Sequence, residues 1–125
     1  MKKIAVIEDN PDNRLLVRAL LEDSYELTEY DNGQDALDVM RQTPPDLILL
    51  DISLPGIDGV EVLRLIREDP RLSPLPVIAL TAHAMETARE KFLDAGFDQY
   101  VSKPITDENV LLDSIRDLLR NSDSD

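Results

Sequence analysis

The sequence contains no cysteine and no apolar run long enough to cross a membrane. The lack of cysteine excludes disulfide bonds, zinc-thiolate sites and thiol nucleophiles. The first three residues lead directly into an apolar strand pattern and carry no signal-peptide apolar region. We therefore expect a soluble, cytoplasmic protein that makes no membrane contact.

Positive charge is also scarce, with 13 basic against 26 acidic residues and a net charge of −13. Such a surface repels phosphate backbones, which argues against direct nucleic-acid binding. A chain of 125 residues with 42% hydrophobic content is large enough for one domain with its own core. We expect that domain to span residues 1–121 and residues 122–125 to form a disordered acidic tail.

Short apolar runs alternate along the chain with segments of helical periodicity. The runs lie at residues 4–7, 26–30, 46–51, 77–80 and 98–101, and predicted helices begin near residues 11, 33, 59, 85 and 107. Strands and helices that alternate at this spacing predict a parallel sheet with helices on both faces. Right-handed crossovers then favour a doubly wound, five-stranded α/β fold.

Local signals mark several helix ends. Asn10 before Pro11 is typical of a helix N-cap, as are Asp58 and Thr106. Gly96 is predicted to follow the end of the helix over residues 85–95. The run at residues 47–50 predicts a strand buried on both faces, whereas the less apolar strand at 26–30 is predicted at a sheet edge.

Four of the five predicted strands end in charged or reactive side chains. Glu8 and Asp9 follow the first strand, Asp51 the third, Thr81 the fourth and Lys103 the fifth. In a parallel sheet these ends share the edge at which α/β proteins bind ligands. Three carboxylates placed together require a cation, and hard oxygen ligands suit Mg²⁺.

Thr81 and Lys103 provide a hydroxyl group and a cation, which together suit a tetrahedral anion. A carboxylate can act as the nucleophile in phosphoryl transfer and form an aspartyl phosphate. Asp51 is the candidate nucleophile because it lies centrally, between the metal-binding acids and the anion donors.

Five sequence elements together resemble the receiver domain of two-component response regulators. They are the Glu8-Asp9 pair, Asp51, the Pro55-Gly56 turn, Thr81 and the Lys103-Pro104 dipeptide. The resemblance covers residues 2–120 and implies a flavodoxin-like fold with strand order 2-1-3-4-5. Only a few residues follow the last predicted helix, so we expect a stand-alone regulator. Residues 83–85 and 102–105 also resemble single-domain regulators of the DivK type.

The resemblance also implies roles for the acidic residues. Asp51 would accept a phosphoryl group from a phosphohistidine on a sensor histidine kinase or a histidine phosphotransfer protein. Glu8, Asp9, Asp51 and the backbone carbonyl of Ser53 would bind Mg²⁺. The protein would be a signalling switch that catalyses only its own phosphorylation and dephosphorylation.

Thr81 and Lys103 would each bind a phosphoryl oxygen, and the Lys103-Pro104 bond would be cis. Thr81 and Tyr100 would form the switch that remodels the surface of the fourth helix, fifth strand and fifth helix. That surface would bind a downstream effector protein, and the regulator would be a monomer or a weak phosphorylation-linked dimer.

Three other functions share parts of this pattern. A phosphohydrolase of the haloacid-dehalogenase type normally has a second aspartate two residues after the nucleophile, where this chain has Ser53. A pseudo-receiver usually loses an acid or the lysine, all of which are present here. A small flavin carrier has a hydroxyl-rich phosphate loop after its first strand, where this chain has Glu8 and Asp9.

Overall fold

The computed structural model describes residues 1–81, 93–103 and 108–123. The strands are β1 (Lys3–Ile7), β2 (Glu26–Tyr30), β3 (Leu47–Asp51), β4 (Val77–Thr81) and β5 (Gln99–Ser102). The helices are α1 (Pro11–Leu21), α2 (Gly33–Gln42), α3 (Gly59–Glu68) and the C-terminal helix α4 (Glu108–Asp123). Most of the helix predicted over residues 85–95 lies outside the described residues. So does Thr106, the predicted N-cap of the last helix. No helix among the described ranges has the length and apolar content needed to cross a membrane.

All five strands pair in parallel, in the order β2-β1-β3-β4-β5. Ile7 lies opposite Leu50, Asp51 opposite Leu80, and Thr81 opposite Ser102. The carboxyl ends of four adjacent strands, β1, β3, β4 and β5, therefore lie along one edge of the sheet. The predicted fold class and strand order are confirmed.

Alternate residues of the central strands enter two separate cores, which explains why these strands are apolar without interruption. On one face, Ile48 and Leu50 pack with buried residues of α2 and α3. On the other face, Leu47 and Leu49 pack with buried residues of α1 and α4. The two layers of helices remove both faces of the sheet from water, which is the doubly wound arrangement.

The predicted helix signals have the expected local structure. The Asn10 side chain accepts hydrogen bonds from the backbone N–H groups of Asp12 and Asn13, and Asp58 accepts one from the N–H of Glu61. Gly96 has a φ of +113°, in the region that favours glycine.

Two details of the core differ from the periodic pattern. The spacing of apolar residues in α1 predicts Leu16, Val17, Leu20 and Leu21 on its buried side. Leu16 is nevertheless 37% exposed, because Val17 and Leu21 form the buried face of that helix. Leu72 lies in the proline-containing loop between α3 and β4 and is completely buried. A loop of turn residues offers no periodicity from which that burial could be predicted.

Candidate functional site

Three carboxylates meet at the carboxyl edge of the sheet. Glu8, Asp9 and Asp51 each offer one oxygen, and these oxygens lie within 4.8 Å of one another. β1 and β3 are neighbours, so the residues that end them are brought together by sheet pairing. Glu8 and Asp51 are buried, whereas Asp9 is exposed. The predicted convergence of the three acids is therefore observed.

Lys103 reaches this cluster from the end of β5. Its backbone N–H donates to the carbonyl oxygen of Thr81 at 2.7 Å, which fixes the start of the side chain. Its Nζ atom lies 3.1 Å from Oδ1 of Asp51 and 3.1 Å from Oε1 of Glu8. The sequence placed Lys103 near Asp51, but the contact with Glu8 was not predicted.

The charge state of Asp51 follows from these neighbours. Burial by itself raises the pKa of a carboxyl group, but here hydrogen bonds outweigh it and the pKa of Asp51 is lowered. The partners are Glu8, the backbone N–H of Ser53 at 3.0 Å from Oδ1, and Lys103. The carboxyl group of Asp51 is therefore ionised at neutral pH.

Glu8 has the opposite shift. Burial, followed by the hydrogen bond and charge of Asp51, raises the pKa of Glu8 to about 7, although Lys103 acts in the other direction. Burial lowers the pKa of Lys103, but its contacts with Asp51 and Glu8 prevail and raise it. The site therefore combines a fixed cation with two carboxyl groups of different acidity.

These groups fit a hard divalent cation. Oε2 of Glu8 is buried and accepts no hydrogen bond from any part of the chain that the structure describes. An unsatisfied buried oxygen costs free energy that a cation would recover. Mg²⁺ is typically bound by one or two carboxylates and several waters, and exposed Asp9 leaves one side open to water.

Gly59 is a site residue that the sequence analysis missed. It is the first residue of α3, and its N–H donates to the carbonyl oxygen of Ile52 at 3.0 Å. A Cβ atom at this position would lie 2.3 Å from the carbonyl oxygen of Asp51 and 2.7 Å from Cα of Ile52. Only glycine lets the start of α3 pack this closely against the end of β3. The sequence signal was the glycine directly after the cap Asp58, which we interpreted only as part of a helix start.

Thr81 lies on β4, the neighbour of β3, and Tyr100 lies on β5, one strand further along the sheet. Thr81 is buried at the end of β4, one residue beyond the partner of Asp51. Tyr100 pairs with Ala79 and packs, partly buried, against the core on the α2 and α3 side. Their roles in switching stay predictions. Pro104, and with it the predicted cis bond, lies outside the described residues.

The fold and this site define a class: flavodoxin-like α/β proteins with an acidic, lysine-bearing site at the carboxyl edge of the sheet. A family model described as "Response regulator receiver domain" matches residues 4–116. The chain belongs to the response regulator receiver domain family, whose members are signalling switches of two-component systems.

Relatives and solved structures agree with this assignment. The polar-differentiation response regulator DivK of Brucella anthropi is 44% identical over 106 residues, which are 84% of this chain and 86% of DivK. The signal transduction histidine-protein kinase BarA of Escherichia coli is 44% identical over 108 residues. Those residues are 86% of this chain but only 12% of BarA, so the chain spans a small part of that relative.

One solved structure bears on the metal. The receiver domain of the sensor histidine kinase PA1611 from Pseudomonas aeruginosa is 32% identical, with a TM-score of 0.86. The match covers 95% of this chain and 98% of that one. The PA1611 receiver domain was crystallised with a magnesium ion coordinated in its active site cleft.

Proposed function

We propose that this receiver domain is a switch driven by Mg²⁺-dependent phosphoryl transfer from a phosphohistidine to Asp51. The observation that carries the proposal is the position of Asp51. Its carboxylate is buried and ionised, lies within 4.8 Å of two further acids, and is 3.1 Å from a lysine ammonium group. An acceptor needs this combination of a nucleophile and charge stabilisation.

Glu8, Asp9 and Asp51 would hold the magnesium ion, with the backbone carbonyl of Ser53 as a further ligand. When bound, the ion would offset negative charge on the phosphoryl oxygens. Lys103 supports the same step from the protein side, because its ammonium group already lies beside the Asp51 carboxylate. The buried, unsatisfied oxygen of Glu8 supports its assignment as a ligand.

The transfer step itself is a displacement at phosphorus. A carboxylate oxygen of Asp51 forms the new P–O bond while the P–N bond of the donor phosphohistidine breaks. The electron pair of the P–N bond stays on the imidazole nitrogen, which takes up a proton. To reset the switch, a water oxygen forms a bond to phosphorus while the P–O bond to Asp51 breaks. The electron pair of that bond returns to the Asp51 carboxylate, and the protons of the water leave with the inorganic phosphate.

Phosphorylation would then be read by partner proteins. Thr81, buried beside the site, would bind a phosphoryl oxygen, and Tyr100 would turn inward as Thr81 moves. The remodelled surface would include β5 and the C-terminal helix and would bind a downstream effector. A sensor histidine kinase or a histidine phosphotransfer protein would be the phosphoryl donor.

The test is intact mass spectrometry after incubation with acetyl phosphate and Mg²⁺. We expect one phosphoryl group on the wild-type protein, none on Asp51→Asn, and none when EDTA is present. Asp58→Asn is the matched control, because it removes an equivalent charge from a nearby helix cap and asparagine still caps helices. Equal labelling of Asp51→Asn would refute the proposal. So would a wild-type protein that stays unmodified with acetyl phosphate and with a panel of phosphorylated histidine kinases.

A further inference from the structure

Arg14, on the first turn of α1, contacts the loop that carries two of the three acids. Its Nη1 atom donates hydrogen bonds to the carbonyl oxygen of Glu8 at 2.8 Å and to that of Asp9 at 3.2 Å. Both bonds are made to the backbone. Arg14 therefore contacts the backbone of the loop and leaves the carboxylates of Glu8 and Asp9 free of bonds to its guanidinium group.

A carboxylate of the neighbouring strand faces Arg14. Its Nε atom lies 3.9 Å from Oε1 of Glu29 on β2, and both side chains are partly buried. Within the described parts of the chain, that Glu29 oxygen accepts no hydrogen bond. The other carboxylate oxygen accepts two bonds from Arg18, at 2.6 and 2.8 Å. Glu29 on β2 thus places a carboxylate beside the Arg14 guanidinium group.

The loop needs such support because of the charges it carries. Its carboxylates must stay within 4.8 Å of Asp51, and like charges at that distance repel. Asn10 uses its side chain to cap α1 and fixes only the helix end of the loop. The N–H of Glu8 donates to the carbonyl oxygen of Tyr30 at 3.0 Å and holds the β1 end. The bonds from Arg14 hold the two peptide groups between these ends, at the carbonyls of Glu8 and Asp9.

We propose that Arg14 is a positioning residue that holds the backbone of Glu8 and Asp9 so that their carboxylates are preorganised for Mg²⁺. The inference rests on the proposed function in that it takes Mg²⁺ as the ion bound there. Groups that orient metal ligands, without touching the metal, typically contribute about 10- to 100-fold to metal affinity.

Because the protein has a net negative charge, the direction in which Mg²⁺ affinity changes after substitution of Arg14 is informative. Removal of a cation from a chain of net charge −13 makes it more negative and, by general attraction, strengthens cation binding. Weaker Mg²⁺ binding after loss of Arg14 would be opposite to that trend. It would therefore report on the geometry of the loop.

The experiment is isothermal titration calorimetry, in which Mg²⁺ is added at fixed ionic strength to four proteins. They are the wild type, Arg14→Gln, Arg14→Lys and Arg64→Gln. Arg64 is the matched control because it is exposed on α3 and pairs only with Glu61 and Glu68 of that helix in the described structure. Urea unfolding of each protein establishes that it is folded at the titration temperature.

We expect Arg14→Gln to weaken Mg²⁺ binding by about 10-fold and Arg64→Gln to leave it unchanged or slightly tighter. Arg14→Lys keeps the charge but loses the planar fork that reaches two carbonyl groups, so it should also bind Mg²⁺ more weakly. If Arg14→Gln does not fold, Arg14→Lys carries the test alone. Folded Arg14 variants that bind Mg²⁺ as tightly as the wild type would overturn this inference and leave the proposed function intact. A wild type that binds no Mg²⁺ would overturn both.

Discussion

At the scale of single residues, the site is governed by two carboxyl groups with opposite shifts. The pKa of Asp51 is lowered because, although burial raises it, hydrogen bonds from Glu8, Ser53 and Lys103 outweigh burial. The pKa of Glu8 is raised to about 7, first by burial and then by Asp51. Such a pair shares one lysine, and one of its members is protonated near neutral pH when no cation is present.

The raised pKa of Glu8 predicts that the stability of the metal-free protein depends on pH. The pKa of Glu8 is about 7 in the folded state and 4.5 as a reference value. The stabilisation from its protonation is therefore fully present below pH 4.5 and is lost as the pH rises through about 7. The loss is on the order of 3 kcal/mol. Urea unfolding in EDTA across pH 5 to 8 measures it.

Glu8→Gln separates this effect from the other titrating groups, because glutamine stays neutral and keeps the shape of the side chain. Its free energy of unfolding should change less between pH 5 and 8 than that of the wild type. Glu26→Gln, at an exposed position on the edge strand β2, is the matched control and should keep the wild-type slope. Identical slopes for all three proteins would show that Glu8 titrates normally.

At the scale of structural elements, Arg67 connects α3 with both loops that lead into β4 and β5. Its guanidinium group donates to the carbonyl oxygens of Ser73 and Leu75 at 2.8 and 2.7 Å, and to that of Gly96 at 2.8 Å. It also pairs with Asp98 at 3.0 Å, and the same Asp98 oxygen accepts the N–H of Val77 at 2.8 Å. Arg67 thus sets the amino ends of the two strands whose carboxyl ends carry Thr81 and Lys103.

We expect Arg67→Met to lower the free energy of unfolding by about 2 to 4 kcal/mol, because several carbonyl groups lose their partner in a partly buried place. Arg67→Lys should recover little of that loss, since one ammonium group cannot span the same carbonyls. Arg64→Met, on the exposed face of the same helix, should change the urea midpoint far less. Equal midpoints for Arg67→Met and Arg64→Met would contradict the importance of the Arg67 network.

At the scale of the whole molecule, three of the 26 acidic residues meet where the sheet ends. The chain has a net charge of −13, and three of its acids lie together with one lysine. The folded arrangement of acids therefore costs free energy, and the unfolded chain does not share that cost. A cation that binds the folded state alone stabilises it by mass action.

We therefore expect Mg²⁺ to raise the thermal midpoint of unfolding. The gain is about 2.7 kcal/mol at a free concentration 100 times the dissociation constant. Asp9→Asn should lose most of this gain, whereas Asp38→Asn, exposed on α2, should retain it. NaCl at equal ionic strength controls for screening. If Asp9→Asn gained as much stability from Mg²⁺ as the wild type, specific binding at the acidic cluster would be ruled out.

Much of this architecture is readable from local sequence. Leu47 to Leu50 form a short, unbroken apolar run, and such a run predicts a strand that is covered on both faces. Asn10 and Asp58 precede helical periodicity, and each accepts backbone hydrogen bonds where a helix begins. The apolar run and the helix caps depend on residues only a few positions apart in the chain. Both partners of each interaction can therefore be identified from the local sequence.

Other features depend on residues that are distant in the chain. Leu72 and Arg67 contribute through loops without periodicity, and Gly59 matters only because α3 approaches the backbone of Asp51. The local sequence around these three residues does not indicate which distant part of the chain will pack against them. Leu16 was misplaced for a related reason, since packing against the sheet selects which apolar residues of α1 are buried.

The sequence by itself determined the alternation of strands and helices and the acids, threonine and lysine that follow the strands, because periodicity and chemical identity are properties of the chain. The tertiary structure decided how those groups meet. Sheet pairing brought Lys103 into contact with Glu8 as well as Asp51, and the packing of α1 on β2 placed Arg14 on the loop that carries Glu8 and Asp9. Burial at that edge separated the acidities of Glu8 and Asp51, since a carboxyl group takes its pKa from neighbours that only the fold supplies.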